Sequence, residues 1–211
     1  TLGINSTAMG YKTIAGGKYS QALGYKTLSC GTSSIAIGYE SRTNGPYALA
    51  QGYQSYANGI SSIAMGYQAK ACAPYSISLG QQNYAQGKNS FAIGKLTTAS
   101  GRSSTAMGYG TWAYGDYSTA MGRYTEARSY GETTLGINNK DVSGTRDSYV
   151  STDRLFVIGN GTSNSARSDA LVMLKNAETT LYGKMKISSS LNVGGTLSVK
   201  SNANIVGELQ V

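Results

Sequence analysis

The sequence predicts an all-β chain wound as a parallel roll, with one flattened turn per fourteen residues. Three observations predict it. Glycine returns every fourteen positions from Gly10 to Gly136, ten times without a miss. A small residue stands two places before each of these glycines, as in Ala8, Ala36, Ala64, Ser78 and Thr134. Within each repeat, small and larger residues alternate with period two, which is the geometry of a strand.

The first arm of each turn is the string that holds this glycine, such as "SIAIGY" at 34–39 and "SIAMGY" at 62–67. Its Ser, Ala and Gly point to one side. Ile35, Ile37, Ile63, Met65, Ile77, Leu79, Phe91, Ile93, Met107 and Met121 point to the other. A second glycine series lies half a period away, at Gly3, Gly17, Gly31 and onward, and lapses to Ala73 and Ser129. It marks a second arm whose small face (Ala15/Gly17, Ala57/Gly59, Ala113/Gly115) opposes a mostly polar or charged one (Asn58, Gln86, Lys88, Arg102). Setting the two small faces together gives a thin lumen that admits only Ala, Ser and Gly. Glycine is expected to supply the positive φ of the corners.

The Ile/Met/Leu/Phe column then faces outward. Ten rungs at ~4.8 Å make a strip ~45–50 Å long, too much apolar surface for a soluble single chain. Three copies closing as a ring cover it with the fewest assumptions, so these residues are the expected trimer interface; a pair is the alternative.

Composition narrows the function. The 211 residues carry tyrosine over phenylalanine 17 to 2, few charges and no histidine. Lacking histidine removes the commonest general base and metal ligand. Carboxylates are few and no acid pair falls within one rung, so no catalytic residue, metal or cofactor is expected. Residues 1–139 hold ten Lys/Arg against four Asp/Glu, and 140–211 hold eight against six. The basic excess on the first segment serves solubility or attraction to an anionic surface such as acidic glycan or lipopolysaccharide. Its scatter argues against nucleic acid. No apolar run is long enough to span a membrane. No signal-peptide pattern opens the chain, which starts and stops within its repeats and so reads as a piece of something longer.

After residue 139 the character changes. In "RLFVIGNGTSNSARSDALVMLKN", Leu155–Ile158 reads as a strand, followed by a polar loop and a second strand over Ala170–Leu174. A short helix opening at Ser168 is the competing reading. From 179 onward a six-residue clock takes over: Met185, Leu191, Leu197, Ala203 and Leu209, with Ile187, Val193, Val199, Ile205 and Val211. It suggests a triangular β-helix wound from three chains, as in phage tail fibres; an antiparallel meander is the plainer alternative. The expected domains are 1–139, 140–178 and 179–211.

The candidate binding residues form a tyrosine ladder after the main glycine: Tyr11, Tyr25, Tyr39, Tyr53, Tyr67 and Tyr109, interrupted by Gln81, Lys95 and Arg123. Rings stacked at ~4.8 Å stiffen a corner; exposed, they also pack against pyranose rings. A second set (Tyr19, Tyr47, Tyr75, Tyr117) would widen such a rail, and Lys12 and Lys26 beside it suit an acidic glycan. Cys30 and Cys72 lie three rungs apart in one column, ~14 Å against a ~7 Å limit, and are expected to be free thiols. Asp141 and Asp147 around Gly144 fit a calcium loop or plain Asx-turns. "NGT" at 160–162 is a sequon by letter only, and "GNG" is no phosphate loop.

Ser34-Ile35-Ala36-Ile37-Gly38, and Ser90-Phe91-Ala92-Ile93-Gly94 preceded by Asn89, resemble the N-S-V-A-I-G-x-x-S head repeats of trimeric autotransporter adhesins of the YadA-like family. The resemblance covers about residues 1–139. It implies a left-handed parallel β-roll, a homotrimer, and display outside the cell on a stalk. It also implies adherence to matrix proteins or to like molecules, in some heads through the repeat motif itself, here the "SIAIG" and "SFAIG" rungs. Within these 211 residues no neck motif, heptad stalk or anchor barrel follows the repeats; residues 140–178 instead resemble the module before the terminal chaperone of bacterial tail-fibre-like proteins. The expected function is a non-enzymatic extracellular fibre that attaches to a surface glycan or protein. A receptor-binding tail fibre of a phage or contractile injection system is the alternative, and a fibre-borne glycan depolymerase the third reading.

Overall fold

The computed structural model describes residues 2–196 and 198–200. Ten five-residue strands run from Thr7–Tyr11 to Thr133–Ile137, and nine two-residue strands from Ile14–Ala15 to Glu126–Ala127. Every long strand pairs parallel with the one fourteen residues on, in strict register: Ala8 faces Ala22, Gly10 Gly24 and Tyr11 Tyr25. The short strands do the same in a second sheet, with Ile14 opposite Leu28. The result is a parallel β-solenoid of about nine turns. Among the described residues there is no helix, and so none long and apolar enough to cross a membrane.

The lumen is lined as the alternation requires. Ala22, Ala36, Ala50, Ala64, Ala92, Ala106 and Ala120 on the first arm are wholly buried, as are Ala57, Ala71, Ala85 and Ala99 on the second. The serine column closes its own turn. Ser20 Oγ donates to the Gly17 carbonyl and Ser34 Oγ to that of Gly31, each at 2.7 Å. A third lumen column escapes the two-arm reading: Thr27, Ser41, Ser55, Ala69, Asn83, Thr97, Thr111, Thr125 and Asn139, all buried. Its serines and Asn83 tie one rung to the next, while the hydroxyls of Thr27, Thr97, Thr111 and Thr125 are buried without a hydrogen-bond partner. Ser41 Oγ donates to the Gly52 carbonyl at 2.9 Å, Ser55 Oγ to that of Gly66 at 2.8 Å, and Asn83 Nδ2 to that of Gly94 at 2.7 Å.

The corners correct one expectation. Each turn bends at two residues in the left-handed region, and most are not glycine. Lys12, Lys26, Glu40, Gln54, Gln68 and Gln82 hold φ of 50–54° at the first corner; Tyr19, Ser33, Tyr47 and Asn89 hold 53–60° at the second. A side chain there costs about 1–2 kcal/mol. Rung-to-rung bonds offset it, such as Lys26 N–H to Tyr11 O at 2.7 Å and Glu40 N–H to Tyr25 O at 2.8 Å. Glycine is needed elsewhere, where backbones stack in contact. A methyl on Gly17 would sit 2.1 Å from the carbonyl oxygen of Gly31 although its φ is ordinary. One on Gly94, at φ +122°, would sit 2.0 Å from that of Gly108.

The long-strand sheet does not stop at residue 139. Arg154–Asn160 joins it parallel to Thr133–Ile137, with Gly136 opposite Gly159. Asp169–Leu174 is a strand, not a helix; it pairs antiparallel with Arg154–Asn160, and Thr179–Leu181 pairs antiparallel with it in turn. Residues 140–153 double back over the open edge of the short-strand sheet, where Tyr130 N–H reaches the Thr145 carbonyl and Asp116 N–H that of Arg146, both at 2.7 Å. Charges seal this end. Arg154 pairs with Asp169 at 2.5 Å in the interior, and Glu126 takes Arg128 at 2.6 Å and Arg167 at 3.0 Å. Solenoids need such a polar terminus, since an open lumen end would expose its stacking face. The hexad positions Leu197, Ala203, Ile205, Leu209 and Val211 lie outside the described residues. Met185, Ile187, Leu191, Val193 and Val199 are exposed and belong to no strand.

Glu132 closes the last rung. Its Oε2 accepts from the backbone N–H groups of Arg128 and Ser129, and its Oε1 from the Thr134 hydroxyl at 3.1 Å. Burial nevertheless lifts its carboxyl above the ordinary range, against the pull of the Ser129 amide, the Arg154 charge and the Arg128 amide. A raised folded-state value means that the buried charge destabilises at neutral pH. The loss is relieved as pH falls through that value toward the ordinary carboxylate one. Glu132→Gln keeps the acceptor oxygen and removes the charge. It is expected to raise the melting temperature at pH 7 and to flatten the rise in stability on acidification, as thermal melts across pH 4–7 would show. An unchanged pH profile would refute this.

Candidate attachment surfaces

Five tyrosines stack as the sequence predicts. Ring centroids of Tyr11, Tyr25, Tyr39, Tyr53 and Tyr67 follow one another at 5.1, 4.8, 4.9 and 5.0 Å, with interplanar angles of 4–14°. The parallel register imposes this, since each ring stands one rung above the last. All five are exposed, from 37% at Tyr25 to 54% at Tyr11. Lys12 caps the ladder, its ammonium 5.3 Å from the Tyr11 centroid. Lys26 lies 5.2 Å from that of Tyr25 but also bonds Glu40 at 3.5 Å.

Tyr109 does not belong to the ladder. Gln81 and Lys95 interrupt the column, and Tyr109 meets Tyr124 edge-on at 5.1 Å and 86°. The second set does not widen the rail either. Tyr19, Tyr47, Tyr75 and Tyr117 sit at the other corner, before the long strand starts, whereas each ladder tyrosine is the last residue of its long strand. A five-residue strand and its flanks keep the two sets roughly 20 Å apart.

The predicted interface column and the ladder form one surface. Residues i, i+2 and i+4 of a strand share a face, so Ile35, Ile37 and Tyr39 line up, as do Ile63, Met65 and Tyr67. In the single chain Ile35, Ile37, Ile63, Met65, Ile77, Leu79, Phe91, Ile93 and Met107 are half-buried, and Met121 is exposed. Gln51, Thr105, Thr119 and Thr133 interrupt the greasiness without changing the face.

The opposite outer face holds an arrangement that a reading of it as merely polar passes over. Arg42, Tyr56, Lys70 and Tyr84 occupy one column of the short-strand sheet, each paired with the next. Lys70 Nζ donates to the Tyr84 hydroxyl at 2.7 Å. Beside them runs a side-chain amide ladder: Gln82 Nε2 donates to Gln68 at 3.1 Å, Gln68 to Gln54 at 3.0 Å, and Gln54 to Glu40 at 2.9 Å. These bonds from Gln54 and Lys26 hold the Glu40 carboxyl below the usual range, although partial burial acts the other way. Both columns are legible at fourteen-residue spacing; the missing step was to compare the outward residues of successive second arms.

Cys30 and Cys72 are free and exposed. Asp141 pairs with Arg128 at 2.5 Å, and Asp147 accepts from the Ser148 hydroxyl at 3.2 Å. Among the described residues no three His, Cys, Asp or Glu side chains stand together as metal ligands.

The family model of the YadA head domain repeat matches residues 2–27, 31–55, 44–69, 73–97 and 99–125, more than half of the chain. No curated protein matches it. With strict fourteen-residue register, a lumen chiefly of Ala, Ser and Thr, and repeat matches through five stretches of the solenoid, the chain belongs to the YadA head domain repeat family and is built as an adhesin-type repeat protein.

Proposed function

We propose that this chain is a non-enzymatic segment of a homotrimeric extracellular fibre that attaches a surface to a glycan or matrix-type protein. The observation that carries it is the outward apolar column on the long-strand face of a YadA-type roll. Association of three copies along that column buries it, and the Tyr11–Tyr67 ladder then borders the seam as a rail for sugar rings. In this reading the roll winds left-handed over 1–139, residues 140–178 form a connecting β module, and the hexads of 179–211 intertwine as a triangular β-helix. Display is at the cell surface or on a secreted particle. The hexad clock favours one second reading, the receptor-binding tail fibre of a phage or contractile injection system.

Two measurements test the proposal. Sedimentation at micromolar concentration should give three times the 22.0 kDa chain mass; a well-folded single chain would overturn the trimer. On a glycan and matrix-protein array, Tyr39→Ala with Tyr53→Ala should abolish retention at an unchanged melting temperature. Full retention by that variant, or parallel loss of retention and stability, would leave the ladder a purely structural element.

A further inference from the structure

We propose that the outer face of the short-strand sheet, along Arg42, Tyr56, Lys70 and Tyr84, binds an acidic oligosaccharide in which charged and neutral rings alternate. The column reads cation, aromatic, cation, aromatic, one residue per rung. At ~4.8 Å per rung each type recurs every ~9.6 Å, about the span of two linked pyranose rings. A chain laid along the fibre axis therefore meets an aromatic side chain at one sugar and a cation at the next. The aromatic rings pack on apolar sugar faces, and the cations pair with carboxylate or sulfate.

The site is hollow and ordered. Two adjoining depressions of about 350 and 550 Å³ share Gln54, Lys70 and Tyr84. Lys70 is held across Tyr84, its ammonium 4.7 Å from the ring centroid as well as bonded to the hydroxyl, so little freedom remains to be lost on binding. Gln54, Gln68 and Gln82 each spend one N–H within the ladder and keep the other for a sugar hydroxyl. The one carboxylate at the rim, Glu40, is already engaged by Lys26 and Gln54, which mutes its repulsion of an anion. Short strands and long strands turn their outer faces opposite ways, so association along the apolar seam leaves this hollow open. The inference rests on the attachment reading only in that the fibre meets a glycan.

The chain carries its own reporter. Cys72 lines the larger depression, whereas Cys30, exposed in the same column three rungs away, does not. With the intact protein, a chondroitin hexasaccharide, which alternates uronate and amino sugar, should slow iodoacetamide alkylation of Cys72 about fivefold and leave Cys30 unchanged. Arg42→Gln with Lys70→Gln should weaken that protection about tenfold. Unchanged rates at both thiols, or equal slowing at both, would overturn the site. Equal protection by neutral cellohexaose would overturn the acidic ligand. Equal protection by polyphosphate, with no loss in Tyr56→Leu, would reduce it to plain charge attraction and overturn it too. The wild-type footprint decides even if a variant fails to fold. A single-chain mass in sedimentation with Cys72 protection intact would sink the trimer alone.

Discussion

Gly94→Ala is expected to cost about 4 kcal/mol or more, the range reached by few single substitutions. Two penalties meet at this position. The backbone stands at φ +122°, which side chains seldom adopt, and the new methyl would lie 2.0 Å from the Gly108 carbonyl oxygen. That oxygen belongs to the next rung's main chain, so relief requires prising two rungs apart and breaking ladder bonds on both sides. Two further glycines separate the causes. Gly17→Ala meets Gly31 O at 2.1 Å without a positive φ and should lose nearly as much. Gly131→Ala, at φ +65° with nothing within 4 Å, should lose only about 1–2 kcal/mol. Circular-dichroism melts of the three variants rank them. If Gly94→Ala melts with the wild type, stacking contact is not what demands glycine.

Ala92→Leu should be the next most damaging change. Overpacking an ordinary core costs about 1–3 kcal/mol because side chains shift aside. Here Ala92 stacks between Ser78 and Ala106 on the adjoining rungs, and Ala85 and Ala99 belong to the same wholly buried cluster, so almost no side chain is long enough to move aside. The strain passes to the backbones of both sheets, so the loss should reach or exceed the top of that range. Hydrogen exchange should rise first in the rungs around residues 85–113. Ile93→Leu, one residue on and facing outward, should change stability by less than about 1.5 kcal/mol. A variant pair with equal melting temperatures would show that the lumen tolerates bulk.

The two predictions rest on features of unequal legibility. The lumen was readable because a period of fourteen and a period of two, superposed, place Ala36, Ala50 and Ala64 on one line before any coordinate is known. The free thiols were readable for the same reason, being three rungs apart. The corners were not. Lys26, Glu40 and Gln54 share a φ near 50° with no shared chemistry, because the bend is imposed by bonds from the adjacent rung and not by local preference. Nor was the end cap. Thr133 pairs with Phe156, twenty-three positions on, and Glu126 meets Arg167; no clock runs through those intervals. In the candidate site the ladder was legible, while the loss of Tyr109 to Tyr124 and the displacement of Tyr19, Tyr47, Tyr75 and Tyr117 to the far corner were not.

By itself the amino-acid order determined everything that repeats: the turn length, the register, the small-residue lumen, the apolar outer column and the stacked rings. Each of these follows from a residue and its copy fourteen places away, so one rung's sterics, multiplied, specify the whole. Only the tertiary structure decided what happens where the repeat breaks or where columns from different parts of a turn converge. The docking of the strand from Arg154 onto Thr133–Ile137 and the buried charges around Glu126 and Glu132 depend on contacts made once. A contact made once leaves no period behind, and only packing in three dimensions chooses its partner.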